Sequence, residues 1–204
     1  MMANSWDERY SIKEYAYGEK PNEFLAEQLA LYSPGEILFP ADGEGRNSVF
    51  AAQKGWNVSA FDISIEGKKK AQNLANKAGV SIQFDVANAL NVTYQQDQFD
   101  AIAFIYAHFP GPIKSICHKN ICSFLKKGGV LIFEAFSKTH LQYNSKDPKI
   151  GGPKDLDTLF SNEEIELDFS DFEILLLEEK EIQLNEGLFH IGTGSVIRCV
   201  ARRK

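Results

Sequence analysis

Glu36-Ile37-Leu38-Phe39-Pro40-Ala41-Asp42-Gly43-Glu44-Gly45-Arg46-Asn47 is the stretch on which the reading of this chain turns. The apolar run Ile37-Leu38-Phe39 predicts a buried strand, and Val49-Phe50-Ala51-Ala52 opens a helical pattern directly afterwards. Between them, Gly43 and Gly45 predict a tight turn where the backbone bends sharply and a ligand can come close. A helix that begins on such a turn points unpaired N–H groups and the positive end of its dipole at whatever occupies it. Many α/β domains use a Gly-x-Gly turn for closure alone, so the stretch indicates a fold before it indicates a function.

Downstream, Gly55 leads into a second apolar strand, Val58-Ser59-Ala60-Phe61, which ends in Asp62. An acid about 20 residues beyond the glycines suits a carboxylate that accepts both hydroxyl protons of a ribose. Its alternative role is to cap the following helix, a role open to Ser64 as well. That helix is expected from about Ser64 to Ala78, with Gly79 at its C′ position. Its Lys68-Lys69-Lys70 run reads as a solvated face. A third strand is expected over Val80 to Val86, followed by Ala87-Asn88-Ala89 and a polar stretch to Gln98. A fourth spans Phe99 to Ile105 and ends in Tyr106-Ala107-His108-Phe109-Pro110. A helix to about Lys126 is then broken by Lys126-Lys127-Gly128-Gly129 before a fifth strand, Val130 to Ala135. Thr139 to Leu156 reads as loop, and Asn162 to Asp168 as a short helix. The long runs Phe172 to Leu184 and His190 to Arg202 flank Asn185-Glu186-Gly187, a hairpin signal.

Upstream, Ser33-Pro34-Gly35 is a turn, and a helix from about Asn22 to Leu31 has Asn22 as its N-cap. Residues 1–21, with Trp6, Tyr10, Tyr15 and Tyr17, form an aromatic arm that either packs against the body or covers a pocket. Alternating strands and helices predict a doubly wound α/β fold, a mostly parallel sheet with helices on both faces. The closing hairpin adds an antiparallel edge. With 204 residues and no repeat or low-complexity tract, a single domain over 1–204 is expected.

The bulk composition, 44% hydrophobic and 25% charged, fits neither a disordered nor a membrane protein. No apolar run reaches the roughly 18 residues of a membrane span. A net charge of −6 argues against nucleic acid as a partner. The N-terminus lacks the pattern of a secretory signal, and three cysteines, Cys117, Cys122 and Cys199, read as reduced thiols of a cytoplasmic protein. Cys117-His118 with Cys122 fits no common zinc spacing, so these cysteines are read as core and no metal is expected.

Four stations resemble the class I S-adenosylmethionine-dependent methyltransferases: Ala41-Asp42-Gly43-Glu44-Gly45, Asp62 ending strand two, Asn88-Ala89 after strand three, and Leu125-Lys126-Lys127-Gly128-Gly129 before strand five. Trp6-Asp7-Glu8-Arg9-Tyr10, Tyr17-Gly18-Glu19-Lys20-Pro21-Asn22 and Gly43-Glu44-Gly45-Arg46-Asn47 look more specifically like the small bacterial methyltransferases grouped with the tellurite-resistance and thiopurine enzymes. The resemblance implies a Rossmann-like sheet of seven strands with the last antiparallel, S-adenosylmethionine as cofactor, and a small-molecule acceptor such as a thiol or chalcogen oxyanion. Carried over by position, Ala41, Gly43 and Gly45 pass the methionine part, Asp62 takes the ribose, Ile63, Asn88 and Ala89 meet the adenine, and Tyr106 lies near the sulfonium. Tyr17, with Tyr10 and Tyr15, would cover the cofactor. The family usually opens its first motif with an acid and a glycine; here Phe39 and Ala41 stand in those places, with Asp42 or the tyrosines left to compensate.

Methyl transfer from a sulfonium expels a neutral thioether, so the protein's work is to align nucleophile and methyl and exclude water. For a nucleophile that carries a proton, His108 is the first candidate base, the alternative being a structural histidine in the Phe109-Pro110 turn. Glu134 and His190 are further candidates at strand ends. Arg46 is a candidate for binding an anion, or else a surface ion pair. Two other classes share the glycine turn and Asp62: a methyltransferase-fold binding or scaffold protein without catalysis, and an NAD-dependent oxidoreductase, which would want Gly or Ala at Ser48.

Overall fold

The computed structural model describes residues 2–204, with side chains from Ser5 onward. The glycine stretch folds as read: β1 (Glu36–Pro40) runs into the turn and α3 (Arg46–Gln53) leaves it, after α1 (Met2–Tyr10) and α2 (Glu23–Leu29). β2 (Asn57–Asp62), α4 (Ile65–Ala78), β3 (Gln83–Val86) and β4 (Phe99–Ile105) follow. Then come α5 (Lys114–Cys122), β5 (Leu125–Phe136), α6 (Leu141–Asn144), α7 (Asn162–Asp168), β6 (Phe172–Glu186) and β7 (His190–Arg203). Caps fall where side-chain chemistry places them. Asn22 accepts the N–H of Leu25, Ser64 accepts that of Gly67, and Ser161 with Glu164 forms a capping box on α7. Gly79 closes α4 in the left-handed conformation.

The strands form one seven-stranded sheet in the order β3-β2-β1-β4-β5-β7-β6. The first five pair in parallel, and β7 pairs antiparallel with both β5 and β6. The second half of the sheet has one parallel unit, β4-α5-β5, and then the antiparallel β6 and β7 where a full dinucleotide-binding fold continues with parallel strands, which separates the two. The chain reverses direction between β1 and β4, and a crevice opens at the C-terminal strand ends on either side of such a reversal. Both faces of the sheet are covered. Leu38, Phe61, Phe104 and Phe133 pack on one side, and Ile37, Phe39, Ala60 and Ile132 on the other. Phe39, 1% exposed, is a core residue and so cannot serve where the related family places an acid.

The structure corrects several expectations. β3 begins at Gln83 rather than Val80, because Val80 turns back to donate to the Ala75 carbonyl and packs with Val49 and Leu74. α5 ends at Cys122, and Lys126-Lys127-Gly128-Gly129 lies inside β5 as a bulge; Leu125 already pairs with Phe99 before Val130 pairs with Ala101. The loop from Thr139 to Leu156 contains α6 and short 3₁₀ turns at Lys138–His140 and Pro148–Ile150. In the hairpin, Asn185 and Glu186 are still strand, and residues 187–189 make the turn. Lys70 is not simply solvated, since its Nζ sits 2.8 Å from Glu44 Oε1. Cys117, Cys122 and Cys199 are free and buried, and no helix among the described residues is long and apolar enough to cross a membrane.

The aromatic arm is built into the body. Tyr10 is buried against Gly43 and Gly67. The N–H of Ala16 donates to Glu44 Oε2 at 2.7 Å, and its carbonyl accepts from the Leu188 N–H at 2.8 Å in the hairpin turn. Beneath the arm, Glu134 is fully buried and accepts from Asn22 Nδ2 and Arg198 Nε, each at 2.6 Å. Removing one member of such a pair leaves an uncompensated charge. Glu134→Ala should therefore cost about 3–5 kcal/mol in urea unfolding. A loss below about 1 kcal/mol would mean that water replaces the carboxylate at Arg198.

Candidate active site

A cavity of about 420 Å³ opens at the C-terminal ends of β1, β2 and β4. That is the size of a small-molecule site. Of the sequence candidates, Ala41, Gly43, Asp62, Ile63, Asn88, Ala89, Tyr106, His108 and Tyr17 all line it. Gly45 does not. A Cβ there would come within 2.5 Å of Ala71 Cβ, so this glycine lets α3 pack against α4. Tyr15 turns away as well, donating to the Lys70 carbonyl at 3.1 Å, and Glu134 lies below the cavity in the network just described.

The turn alternates through the left-handed region, with φ of +52° at Ala41, +61° at Gly43 and +88° at Gly45. Glycine takes this conformation freely, whereas an alanine there costs roughly 1–2 kcal/mol. Asp62 braces the turn. Its Oδ2 accepts the Gly43 N–H and its Oδ1 the Ser64 N–H, both at 2.9 Å. Each oxygen keeps a further lone pair. Ser64, not Asp62, caps α4. Burial pushes the Asp62 carboxyl up to about 6, against the pull of those N–H groups.

Asp42 is more exceptional. Both carboxylate oxygens are buried and no hydrogen bond of ordinary geometry reaches them among the described residues, the Ser48 hydroxyl and N–H being the nearest donors that act on the carboxyl. Burial pushes it up to about 7, although Ser48 and Arg46 lie near enough to pull it down. A buried unpaired carboxylate costs several kcal/mol unless a cation or donor meets it. Asn88 uses its Oδ1 to accept the Leu90 N–H at 3.0 Å, which leaves its NH₂ free to donate. Tyr106 is held at φ +53°, with a buried, unpartnered hydroxyl.

His108 has both ring nitrogens occupied. Nδ1 lies 2.9 Å from the Thr158 carbonyl and must donate, and Nε2 accepts the Phe136 N–H at 3.3 Å. Burial drives its pKa down to about 3. This is the geometry of the structural alternative rather than of a base. His190 differs: its Nδ1 meets Glu186 Oε2 at 2.9 Å, while Glu186 Oε1 meets Arg46 at 2.9 Å. Arg46 is therefore a buried ion-pair partner, not a surface one. Burial favours protonation of Glu186, but Arg46 and His190 outweigh it and hold the carboxyl down to about 2.

Trp6 and Arg9 bring the arm to the cavity wall, one of the two roles open to it, whereas Ala87, Phe136, Gly152, Pro153 and Thr158 escaped the sequence reading. The signal that would have found two of them is Gly151-Gly152-Pro153. Both glycines take positive φ, and a Cβ on Gly152 would come within 2.8 Å of His140 Nε2. Backbone that must approach so closely belongs to a built wall rather than a free loop.

Residues 37–129 match the family model described as "Methyltransferase domain". The curated protein Methyltransferase GfsG of Streptomyces halstedii is 27% identical over 130 residues, which are 62% of this chain and 47% of that protein. The chain thus spans about half the length of this relative. A solved structure concerning the conversion of a disulfide bond into a thioacetal group during echinomycin biosynthesis superimposes with TM-score 0.80 at 16% identity, over 100% of this chain and 93% of that one. TehB from Haemophilus influenzae superimposes with TM-score 0.71 at 16% identity, over 99% and 67%. Magnesium protoporphyrin IX methyltransferase from Synechocystis PCC 6803, solved with bound SAH, gives 0.68 at 19%, over 88% and 80%. At these identities the structural likenesses establish the fold.

With both nitrogens tied to backbone, the His108 ring should stay neutral across the neutral and mildly acid range when followed by NMR. A midpoint near the ordinary 6.5 would mean that solvent, not Thr158 and Phe136, holds the ring.

Proposed function

We propose that this chain, whose residues 37–129 match a methyltransferase-domain model, is a class I methyltransferase that moves the methyl group of S-adenosylmethionine to a small-molecule acceptor by in-line displacement. The observation that carries this reading is the pairing of the Asp62-braced glycine turn with the unpartnered Asp42 carboxylate beside it. The cofactor supplies a methyl already activated on a cationic sulfur. Everything else falls to the chain.

In this reading Asp62 accepts the ribose hydroxyls on its free lone pairs. Ile63 and Ala89 flank the adenine, and the Asn88 NH₂ donates to a ring nitrogen. Asp42 takes the cofactor's ammonium, the task that Phe39 cannot perform. Tyr17 and Tyr106 put ring faces near the sulfonium, an attraction of roughly 0.5–2 kcal/mol each. His108 acts as a positioning residue that fixes Phe136 and the loop at Thr158. No acid is needed for the leaving group, and the enclosed wall keeps water from competing for the methyl. A thiol or chalcogen oxyanion is the acceptor class we carry from the sequence. The unpaired thiols and the acidic surface support a cytoplasmic setting without nucleic acid.

Calorimetric titration with S-adenosylmethionine and, separately, NAD tests the reading. Micromolar binding of the first alone, about −8 kcal/mol, is expected. Binding of NAD alone would select the oxidoreductase, and binding of neither would select a scaffold protein. Asp62→Ala should weaken S-adenosylmethionine binding by about 1.5–3 kcal/mol, the scale of hydrogen bonds to a charged group. Unchanged affinity in a folded variant would remove the ribose assignment.

Asp42 adds a pH test with a definite sign. In the free chain its carboxyl titrates at about 7. An ammonium bound to the ionised form lowers that value, so binding releases protons and affinity should fall as pH drops below about 7. Asp42→Asn should bind more weakly and flatten this dependence; a slope unaltered by the substitution would place the ammonium elsewhere.

A further inference from the structure

Glu186 and His190 are strand partners at the tip of the hairpin. The Glu186 carboxylate is ionised, so the 2.9 Å contact requires Nδ1 of His190 to carry the proton and donate it. That fixes the tautomer and makes Nε2 a bare acceptor. No hydrogen bond among the described residues reaches Nε2, while the ring, 4% exposed, lines the cavity. The ring has no room to swing. Tyr17, Tyr106 and Phe136 surround it at centroid distances of 4.5, 4.8 and 5.1 Å. Gly151 closes the Cδ2 edge, where a Cβ would come within 2.8 Å.

The carboxylate behind it is held in turn, with Oε1 receiving Arg46 at 2.9 Å and Asn22 Nδ2 at 3.3 Å. A buried ion pair is a poor way to gain stability, since apolar residues of the same volume often do as well. It is a good way to hold an imidazole in one tautomer and to stabilise its protonated form. The other histidines lack this disposition. Both nitrogens of His108 are occupied, as are those of His140, which accepts from the Ser195 N–H and donates to the Gly151 carbonyl. His118 also has an unpaired Nε2, but it is sealed in the core and does not line the cavity.

We infer that His190 is the general base of the proposed methyl transfer, positioned by Glu186 and Arg46, and that the acceptor is a protic nucleophile, a thiol or phenolic hydroxyl, rather than a chalcogen oxyanion. This rests on the methyl-transfer reading and narrows it. An oxyanion arrives with no proton to lose, whereas a thiol (pKa about 8.5) and a phenol (about 10) keep theirs at neutral pH. In the step, a lone pair on the acceptor heteroatom forms the bond to the methyl carbon. The sulfur–methyl bond breaks, and sulfur keeps its electron pair. The acceptor's proton passes to Nε2, and the resulting imidazolium faces Glu186 until solvent takes the proton. The aromatic side chains of Trp6, Tyr17 and Phe136 on the cavity wall suit an acceptor with an apolar or aromatic body.

The groups that set the titration of His190 are Glu186 beside it, Arg46 from the glycine turn, Arg9 and Tyr17 from the arm, and Tyr106, His108 and His140 from the sheet and its loops. Burial lowers its pKa, Glu186 pulls it back up, and the balance lies below the ordinary 6.5. The base is therefore free at neutral pH, and turnover should fall on the acid side.

The test uses the full chain with S-adenosylmethionine, thiols and phenols whose pKa values lie above and below the assay pH, and tellurite. His190→Asn should lower kcat about 10²–10⁴-fold with acceptors that are still protonated. The loss should be much smaller with acceptors already ionised, and cofactor affinity should stay within about threefold, a change of about 0.65 kcal/mol. Glu186→Gln should lower kcat in the same acceptor-dependent way. NMR of the wild-type chain should show the Nδ1–H tautomer at His190, a readout independent of turnover and of any variant's folding. A loss equal for all acceptors, an Nε2–H tautomer, or turnover of tellurite but of no protic acceptor would overturn the inference. Titration of the wild type with S-adenosylmethionine separates the two levels. No binding removes the methyl-transfer reading and the base with it, whereas binding together with any of those three results removes the base alone.

Discussion

One buried carboxylate ties together parts of the chain that are far apart in sequence. Glu186 receives Arg46 from the start of α3, Asn22 from the cap of α2 and His190 from the far side of its own hairpin. Desolvating that carboxylate costs several kcal/mol, and the cost is offset only when all its donors are in place. The glycine turn, the arm and the hairpin therefore cannot take up their positions independently. Glu134, one layer below, repeats the device with Asn22 and Arg198. Asn22 serves both carboxylates while also capping α2. A helix cap, normally a local matter worth about 1 kcal/mol, is here the joint between two buried charge clusters.

The sheet was legible because its determinants are local. The period of apolar residues, a glycine after the last turn of a helix and a Ser or Asn before the first are written within a few residues of the elements they fix. Misreadings occurred where a distant partner decided. Val80 looked like strand but packs on Val49 and Leu74, so β3 is short. Lys126 to Gly129 looked like a helix terminator, but Phe99 recruits Leu125 into the sheet first. The cavity was legible in part for the same reason. Residues at the C-terminal ends of β1, β2 and β4 follow from topology, and they line it. Ala87, Phe136 and Thr158 come from loops and a strand end where nothing local says what they will face, and for Trp6 the sequence left open whether the arm packs or covers a pocket.

Histidines show this limit most sharply. In sequence, His108, after strand four, is the first candidate and His190, at the start of the last strand, a further one. Their chemistry is set by hydrogen bonds to residues 50, 28 and 4 positions away. Two backbone partners turn His108 into a strut. One carboxylate and one free nitrogen leave His190 able to accept a proton. Position in the fold brings a histidine to a site, and the partner of each nitrogen decides what it can do there.

The charges around the cavity explain why such a site can hold a cation without a metal or an anionic cofactor to balance it. Asp42 and Asp62 face the inner wall, and burial raises both. Arg46, which acts on Asp42, is already paired with Glu186, and the other cation of the wall, Arg9, is held by Tyr17. Burial disfavours the charge on both carboxyls, so an approaching cation that restores it is favoured there more than it would be at the surface. A cationic ligand relieves the carboxylates and loses little of its own solvation advantage. An oxyanion meets the opposite field, and a neutral protic acceptor meets neither penalty until its proton moves. At that moment the positive charge appears on His190, beside Glu186, the carboxylate behind the ring that Arg46 and His190 hold down to about 2.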